Sequence, residues 1–371
     1  MIRIGIIGGG LNSAIGKAHM SALALTNRFR VGAACFSRYD NVNIATAKAF
    51  NIRHEKLYFD YTQLIENEKS TIDAILILTP TDQHKDQVIC ALKSGYSVIC
   101  EKSLTTSVED ALEIGIFLKH SEASLNVIYN YLGYPMVKEL RQMIRSGKLG
   151  KVISIQIEMP QESFIRTSNG QPLLPQKWRL KDNSIPTISL DLGVHLHMMI
   201  HYLTGEKPMR VTGVSRSFGN FHKVIDDVNA LIEYTNGLEC NMWYSKAAIG
   251  HRNGLRIRVY GSKGSASWLQ TEPEIVEYAD IEGNRMLIDR NSPGITIANS
   301  ERYNRFKGGH PSGFVEALAN YYLDLADQFN DRSTRVNSSS EVFGFNESLE
   351  GLQLFESIAL SSEKKCWLEI K

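Results

Sequence analysis

The sequence predicts an α/β domain with a parallel sheet, followed by an α+β domain with a large, mainly antiparallel sheet. In the first third of the chain, short apolar runs alternate with helical patterns, which is typical of a parallel sheet covered by helices on both faces. Farther along, strand patterns follow one another with few helices between them. The 371 residues also exceed one ordinary core. We expect domains at residues 1–128 and 129–371, with the C-terminal helix able to pack back on the first.

The first domain is predicted to alternate strictly between strand and helix. Its strands are expected at Ile2–Ile7, Phe29–Phe36, Ala74–Leu78, Tyr96–Cys100 and Leu125–Tyr129. Its helices are expected at Ile15–Leu25, Asn43–Phe50, Tyr61–Glu68, His84–Ser94 and Val108–His120. Gly95 follows the fourth of these helices, where a glycine commonly stops a helix.

The second domain is predicted to consist mainly of hairpins. Asn236-Gly237 is a strong hairpin signal between two strand patterns, and residues 261–264 form a second predicted turn. The expected strands are Val152–Met159, Met209–Phe218, Val228–Thr235, Leu238–Ser245, Leu255–Tyr260 and Ser265–Leu269. The expected helices are Pro135–Ser146, Gly313–Asn330 and Glu347–Ser362, and Ser338–Ser340 is expected to be a polar loop.

Charge and hydropathy argue against several classes of protein. Lys and Arg number 41 against 40 acidic residues, so the net charge is +1 and nucleic acid is not an expected partner. No run of about 18 apolar residues predicts a membrane span, and Met1 leads directly into a strand, so we expect no signal peptide. The five scattered cysteines form no C-x-x-C pair, which favours reduced thiols in a cytoplasmic protein.

The segment after the first strand is a candidate dinucleotide site. Here glycines let the backbone approach a pyrophosphate, and a helix N-terminus presents N–H groups to its charge. The spacing departs from G-x-G-x-x-G. Either Gly16 is the third glycine and the loop is three residues longer, or Ser13 takes that position. We favour the longer loop. The predicted cofactor contacts are Gly8, Gly10, Asn12, Ser13 and Ile15.

The end of the second strand bears on the choice between NAD and NADP. An acidic residue usually binds the ribose 2′-hydroxyl there. This chain instead reads Cys35-Phe36-Ser37-Arg38. A hydroxyl followed by a guanidinium suits a 2′-phosphate better than a free diol. We therefore predict NAD(P) as the cofactor, with Ser37 and Arg38 as contacts and a slight preference for NADP.

Five further segments carry recognisable signatures along the chain. They are Gly16-Lys17-Ala18-His19, Thr79-Pro80-Thr81-Asp82-Gln83-His84, Val98-Ile99-Cys100-Glu101-Lys102-Ser103, Asp191-Leu192-Gly193-Val194-His195 and Tyr260-Gly261-Ser262-Lys263-Gly264. Together they resemble the glucose-fructose oxidoreductase / inositol dehydrogenase / rhizopine-catabolism (Gfo/Idh/MocA) family. Ser103 stands where that family has proline. The resemblance implies a Rossmann domain joined to an open-faced sheet that covers the nicotinamide and provides an oligomer surface.

The resemblance also implies a reacting centre between Lys102 and the pair Asp191 and His195, which are the predicted catalytic residues. Hydride transfer needs a carbinol held in place and a group that takes the hydroxyl proton. His195, with an ordinary pKa of about 6.5, can be that base, and Lys102 can hydrogen-bond the same oxygen. Asp191 lies four residues before His195 on a predicted helix, so it can orient the imidazole or anchor a substrate hydroxyl.

Other side chains are expected to line the cofactor and the substrate. Trp178 and Arg179 resemble the family's W-R pair. The further predicted cofactor contacts are Thr79, Pro80, His84, Glu101, Lys102 and Asn130. Tyr131 and His310 are predicted substrate contacts, and for these two residues and Trp178 packing is an equal alternative.

A metal site is not predicted. His195 is followed by His197 and His201, but at 100° per residue His195 points about 200° away from His197. One metal therefore cannot easily collect all three, and the sequence shows no further clustered ligand.

The sequence thus predicts an NAD(P)-dependent oxidoreductase acting on a secondary alcohol or ketone of a sugar, inositol or sugar derivative. Two alternatives remain open: a redox glycosidase that uses NAD transiently, and a non-enzymatic dinucleotide-binding regulator. A homodimer or homotetramer is expected, since a bare sheet face would otherwise meet water.

Overall fold

A computed structural model describes residues 1–330 and 341–370, and the chain divides into two compact units. The first contains Met1–Gly133 and Phe314–Leu349, and the second contains Tyr134–Gly313 and Glu350–Lys371. The first unit therefore includes a returning segment that the predicted domain 1–128 did not contain. The predicted loop at Ser338–Ser340 lies outside the described residues.

The first unit is built on a six-stranded sheet. Its strands are β1 (Ile2–Gly8), β2 (Phe29–Cys35), β3 (Ala74–Leu78), β4 (Ser97–Glu101), β5 (Leu125–Ile128) and β16 (Phe343–Gly344). Neighbours pair in the order β2-β1-β3-β4-β5-β16, all parallel except β16. β3 and most of β1, β4 and β5 are buried apolar runs, as in a sheet covered on both faces.

Helices connect these strands. They are α1 (Gly16–Thr26), α2 (Asp40–Ala49), α3 (Tyr61–Asn67), α4 (His84–Lys93), α5 (Val108–Lys119) and α8 (Phe314–Asn330). Side chains fix several starts: Asp60 accepts a hydrogen bond from the Thr62 N–H before α3, and Ser107 accepts one from the Asp110 N–H before α5. Gly95 follows α4 with a left-handed backbone conformation, and the helix stops before this glycine as predicted.

The second unit is built on a nine-stranded sheet. Its strands are β6 (Val152–Pro160), β9 (Pro208–Arg216), β10 (Asp227–Tyr234), β11 (Glu239–Ser245), β12 (Arg256–Gly261), β13 (Gly264–Leu269), β14 (Val276–Asp280), β15 (Arg285–Ile288) and β17 (Leu368–Glu369). β6 and β11 pair in parallel and the other neighbours are antiparallel. Beside it lies a small hairpin of β7 (Thr167–Ser168) and β8 (Gln171–Pro172).

Within the described part of the chain, helices cover one face of this large sheet and leave the other open. They are α6 (Pro135–Arg145), α7 (Val194–Thr204) and α9 (Phe345–Lys364), the last of which begins in the first unit. Along β10, Ala230 and Ile232 are buried while Asn229 and Leu231 are exposed. The predicted hairpin at Asn236-Gly237 is confirmed, because both residues have positive φ between antiparallel β10 and β11.

Two further features concern the hydropathy of the helices and the state of the thiols. None of the helices among the described residues combines the length and hydropathy needed to cross a bilayer. Each of the five cysteines is a free thiol.

Candidate active site

The strand order of the first unit creates a topological switch point between β1 and β3. From β1 the chain moves to β2 on one side, then returns past β1 to β3 on the other. The loops that leave the carboxyl ends of β1 and β3 therefore run in opposite directions. In open α/β sheets, ligands bind in the crevice between two such loops. The glycine-rich loop follows β1, Thr79 and Pro80 follow β3, and Lys102 follows β4. The predicted cofactor residues of this unit thus lie along one edge of its sheet.

The glycine-rich loop settles which residue occupies the third glycine position. Gly8 and Gly9 have φ values of 85° and 73°, which side chains rarely adopt. A Cβ on Gly16 would lie 2.0 Å from the Gly9 carbonyl oxygen, so α1 packs on the loop only because residue 16 is glycine. The Ser13 hydroxyl instead accepts hydrogen bonds from the N–H groups of Ile15 and Gly16, both at 3.3 Å. The longer loop is therefore the correct interpretation, and Asn12 is exposed on it.

The residues after β2 present a cation and no carboxylate before Asp40, where α2 begins. Arg38 is exposed, donates a hydrogen bond to the Tyr39 hydroxyl at 3.2 Å and lies over that ring. The Ser37 hydroxyl accepts a hydrogen bond from the Tyr39 N–H at 3.1 Å. The guanidinium is thus held by its neighbour while remaining accessible to an anion.

His84 joins the loops that follow β3 and β4. Its Nδ1 lies 2.8 Å from the Ser103 carbonyl oxygen and its Nε2 lies 2.9 Å from that of Thr79. Burial lowers the pKa of this imidazole, and a neutral ring with one N–H donates to one of the two carbonyls at a time. This corrects the prediction of a direct cofactor contact: the fully buried ring supports the segment containing Lys102, whose peptide bond to Ser103 is cis.

Glu101, the last residue of β4, is held by a row of hydrogen-bonded side chains that continues to His19 of α1 and Tyr322 of α8. The His19 Nε2 lies 2.9 Å from a Glu101 carboxylate oxygen, and its Nδ1 lies 2.7 Å from the Tyr322 hydroxyl. The other Glu101 oxygen accepts a hydrogen bond from the Lys102 N–H at 3.1 Å. His19 ends the signature segment Gly16-Lys17-Ala18-His19, but no role was predicted for it. Tyr322 belongs to no motif.

The end of β5 offers a donor that suits a bound group. The Asn130 Nδ2 is buried and has no hydrogen-bond partner among the described residues. A buried amide donor of this kind calls for an acceptor, and the dinucleotide expected along this edge carries several. Together with the glycine cradle, it makes this edge fit such a cofactor. Tyr131, by contrast, is buried with its ring edge-on to Phe314, which favours packing.

In the second unit, Asp191 is held between two cations. It lies in a single π-helical turn, Ser189–Gly193, that leads into α7. The Lys246 Nζ lies 2.5 Å from its Oδ2, and the Arg179 Nε lies 3.0 Å from the same oxygen. Lys246 is only 2% exposed. The sequence analysis predicted Arg179 and Asp191 but missed Lys246, which lies 55 positions beyond Asp191 and belongs to no motif.

His195 lies in the first turn of α7, four residues after Asp191, and is 6% exposed. The expected helix is therefore present, although the aspartate belongs to the π-helical turn that precedes it. π-helical turns are rare in proteins, but those that occur are often found at functional sites. A spacing of four residues places both side chains toward the same side of the helical segment.

Trp178 and His310, two further predicted residues of this unit, pack against neighbours of their own. The Trp178 indole donates to the Gln176 side chain at 2.9 Å, and the Arg179 guanidinium lies over the Trp178 ring. His310 is exposed and packs edge-on against Phe306. Substrate contact by His310 stays a prediction.

The histidines that follow His195 have a neighbour that the sequence did not reveal. Glu350 of α9 lies 3.1 Å from the His201 Nδ1 and 3.4 Å from the His197 Nε2. Burial opposes ionisation of Glu350, but the hydrogen bond from His201 and the charges of His197, His201 and Lys207 hold the pKa of the carboxyl below its usual range. The expectation that no further ligand clusters with these histidines is therefore wrong.

Two family models match consecutive parts of the chain. The model described as an oxidoreductase family with an NAD-binding Rossmann fold matches residues 2–130. The model described as the GFO/IDH/MocA C-terminal domain matches residues 137–267. The change from the first compact unit to the second, between Gly133 and Tyr134, falls in the short gap between the two matches.

Individual relatives extend over most or all of the chain. An uncharacterised oxidoreductase of Bacillus subtilis is 27% identical, covering 100% of this chain and 97% of its own. Glucose-6-phosphate 3-dehydrogenase of the same organism is 28% identical over 76% of this chain and 78% of its own. The crystal structure of an inositol dehydrogenase homologue from Azotobacter vinelandii, complexed with NADH and myo-inositol, superposes with a TM-score of 0.89 at 24% identity, covering 99% and 97% of the two chains.

Proposed function

This chain belongs to the Gfo/Idh/MocA family of NAD-binding oxidoreductases, and we propose that its substrate is a secondary alcohol of an inositol, a sugar or a sugar derivative, or the corresponding ketone. Relatives named for glucose 6-phosphate and for myo-inositol support this class. A carbinol carbon on a polyol ring is common to both.

The observation that carries the proposal is the clamped carboxylate beside His195. Lys246 and Arg179 fix Asp191, so that Asp191 offers a fixed carboxylate one helical turn before the imidazole. Preorganised polar groups of this kind cost no reorganisation during the reaction. We assign Asp191 to anchoring a substrate hydroxyl or orienting the His195 ring.

In the direction of oxidation, the proposed chemistry breaks the C–H and O–H bonds of one carbinol and forms a C=O bond. The nicotinamide of the bound cofactor supplies the hydride acceptor. His195 takes the hydroxyl proton as general base, and Lys102 donates a hydrogen bond to the same oxygen as negative charge develops on it. Reduction reverses each step, with the protonated His195 returning the proton.

The residues proposed to hold the cofactor are those at the carboxyl edge of the first sheet. The glycine-rich loop gives the pyrophosphate close access to the backbone and to the N-terminus of α1. Asn130 offers its buried amide donor. The accessible guanidinium of Arg38 favours NADP over NAD, since a 2′-phosphate is the anion that this position would meet.

The test is a panel of inositols, sugars and sugar phosphates, each offered with NAD⁺ and with NADP⁺ while reduced nicotinamide is followed by absorbance. The proposal expects turnover with at least one polyol, and tighter binding of NADP. Tighter binding of NAD would remove the NADP preference. Release of phenol from an aryl glycoside without net cofactor reduction would show that the protein is a redox glycosidase and not a dehydrogenase. Dinucleotide binding without turnover of any substrate would show that it is a regulator.

We also propose that the open face of the large sheet is an interface between copies of the chain. It combines exposed apolar side chains such as Val214 and Leu231, each more than 40% exposed, with a shallow depression lined by Trp243 and Arg258. Apolar faces of this kind usually meet a partner. Light scattering of the purified chain should give the mass of a dimer or tetramer, and a monomer at all concentrations would reject this part.

A further inference from the structure

The side chains of His197, His201 and Glu350 converge at one point of the second unit, and none of the three is assigned to hydride transfer. His197 and His201 are four residues apart on α7, which places both on the same face of the helix. Glu350 reaches them from α9. The ligand atoms of all three side chains lie within 4.8 Å of one another. Two imidazoles and one carboxylate are a donor set that Zn²⁺ uses when a water completes its coordination.

The distances suit a small tetrahedral ion. With Zn²⁺–ligand bonds of about 2.0–2.1 Å, two ligand atoms of a tetrahedron lie about 3.4 Å apart. The Glu350 oxygen lies 3.4 Å from the His197 Nε2 and 3.1 Å from the His201 Nδ1. Small rotations of the two rings, whose centroids are 6.1 Å apart, would bring all three atoms to bonding distance.

The surroundings support a bound ion in two ways. A Cβ on Gly351 would lie 2.9 Å from the His197 ring, so glycine at this position lets α9 approach the imidazole. The Tyr234 hydroxyl is buried without a hydrogen-bond partner among the described residues. Burial and, less strongly, the charges of Cys240 and Glu350 raise the pKa of this hydroxyl, and a buried donor of this kind calls for an acceptor.

We infer that His197, His201 and Glu350 form a binding site for one zinc-like divalent cation, with solvent as the fourth ligand. The side chains of His201 and Glu350 are 15% and 17% exposed, so an ion and a water can reach the site. Nitrogen donors favour Zn²⁺ over Mg²⁺ and Ca²⁺, which prefer oxygen ligands. Occupation of the site would tie α7, and with it His195, to α9.

Cobalt(II) is the probe that tests this inference, because its visible absorption reports coordination directly. Untagged protein is stripped with a chelator and titrated with Co²⁺ in the presence of excess Mg²⁺. The wild-type chain should bind one Co²⁺ per chain, and Zn²⁺ should displace it. Loss of one ligand in His201→Gln or Glu350→Gln should weaken binding by about a hundredfold or more, beyond the loss caused by outer-shell changes.

Two matched controls remove equivalent groups elsewhere: His54→Gln at an exposed histidine and Glu363→Gln at an exposed position on α9. Both should bind Co²⁺ as the wild type does. X-ray absorption of the zinc-loaded wild type should show two imidazoles, and this measurement does not depend on any variant folding. Binding that is absent in the wild type, unchanged in the two ligand variants, or dominated by sulfur would show that the three side chains form only a hydrogen-bonded cluster.

Discussion

Lys246 and Asp191 illustrate what sequence reasoning reaches at the scale of single residues and what it misses. Asp191 was predicted from a local pattern, D-x-G-x-H, in which spacing along one helix carries the information. Lys246 pairs with it from the end of β11, and that proximity arises only when strand and helix pack. A pairing over 55 residues leaves no trace in periodicity or composition.

Replacing Lys246 by methionine should damage both stability and turnover. Breaking a buried ion pair costs about 3 kcal/mol or more, and here Arg179 remains to hold part of the charge of Asp191. We expect the free energy of unfolding to fall by about 2–3 kcal/mol, with kcat falling more than the affinity for cofactor. Denaturant unfolding and steady-state kinetics measure both. Exposed Lys119 offers the control Lys119→Met, and equal behaviour of the two variants would show that the pair is unimportant.

Lys102 makes a second prediction at this scale. If its ammonium stabilises charge on the substrate oxygen, Lys102→Met should lower kcat/KM by about 10²–10³, the usual cost of losing one such donor. Dinucleotide affinity should change much less, since the glycine loop and Asn130 remain. Fluorescence titration with the reduced cofactor separates the two effects. An undiminished rate of hydride transfer would refute the assigned role.

At the scale of elements, most strand and helix positions were predictable because hydrophobic periodicity and glycine signals are local. The predicted strand Ala74–Leu78 matches β3 at both ends. β14 and β15 were not predicted, because their buried positions are few and several of their side chains are exposed. β15 forms one edge of the sheet and β14 lies next to it, and strands with so few buried residues carry little signal of their own.

The loop between β1 and α1 gives a prediction for an element junction. Gly16→Ala places a methyl group 2.0 Å from the Gly9 carbonyl oxygen, so α1 must move away from the loop. Overpacking of this kind typically costs about 1–3 kcal/mol, and displacement of the helix N-terminus should weaken dinucleotide binding. Ala14→Ser adds an atom at an exposed position of the same loop and should leave both unchanged. Unaltered cofactor affinity in Gly16→Ala would show that this contact does not shape the site.

Glu68, at the end of α3, provides a prediction about pH. Burial alone would raise the pKa of its carboxyl, but hydrogen bonds from Lys56, Thr71 and Tyr58 outweigh it and hold the pKa below the ordinary 4.5. Because the pKa is depressed on folding, the stabilisation is complete above pH 4.5 and is lost as pH falls through the lower, folded value. Glu68→Gln should therefore cost about 1.5–3 kcal/mol at neutral pH.

The difference in the free energy of unfolding between the wild type and Glu68→Gln should become smaller below about pH 4, because the wild-type carboxylate then takes up a proton. Urea unfolding at several pH values measures it. Glu66→Gln, at an exposed position two residues earlier, should stay within about 0.5 kcal/mol of the wild type. A difference in unfolding free energy between the wild type and Glu68→Gln that does not change with pH would contradict the lowered pKa of Glu68.

For the whole molecule, both kinds of architecture were predictable from the sequence, but the unit to which each helix belongs was not. The helix at Phe314–Asn330 was predicted nearly to its ends, yet it joins the first unit. A Cβ on Gly133 would lie 1.9 Å from the Ala317 carbonyl oxygen, and the Asn320 amide donates to the Gly133 carbonyl at 2.9 Å. Periodicity shows that a helix has an apolar face, but it does not show which core receives that face.

An isotope label shows whether this oxidoreductase transfers hydride from a carbinol carbon of a polyol. The accepted substrate of the panel, deuterated at its ring carbons, is incubated with the preferred oxidised cofactor, and the mass of the isolated reduced nicotinamide is measured by mass spectrometry. We expect one deuterium on the nicotinamide and a ketone in the product, with both lost in His195→Asn and sharply reduced in Lys102→Met. A nicotinamide that carries no deuterium with any polyol would contradict the proposed hydride transfer.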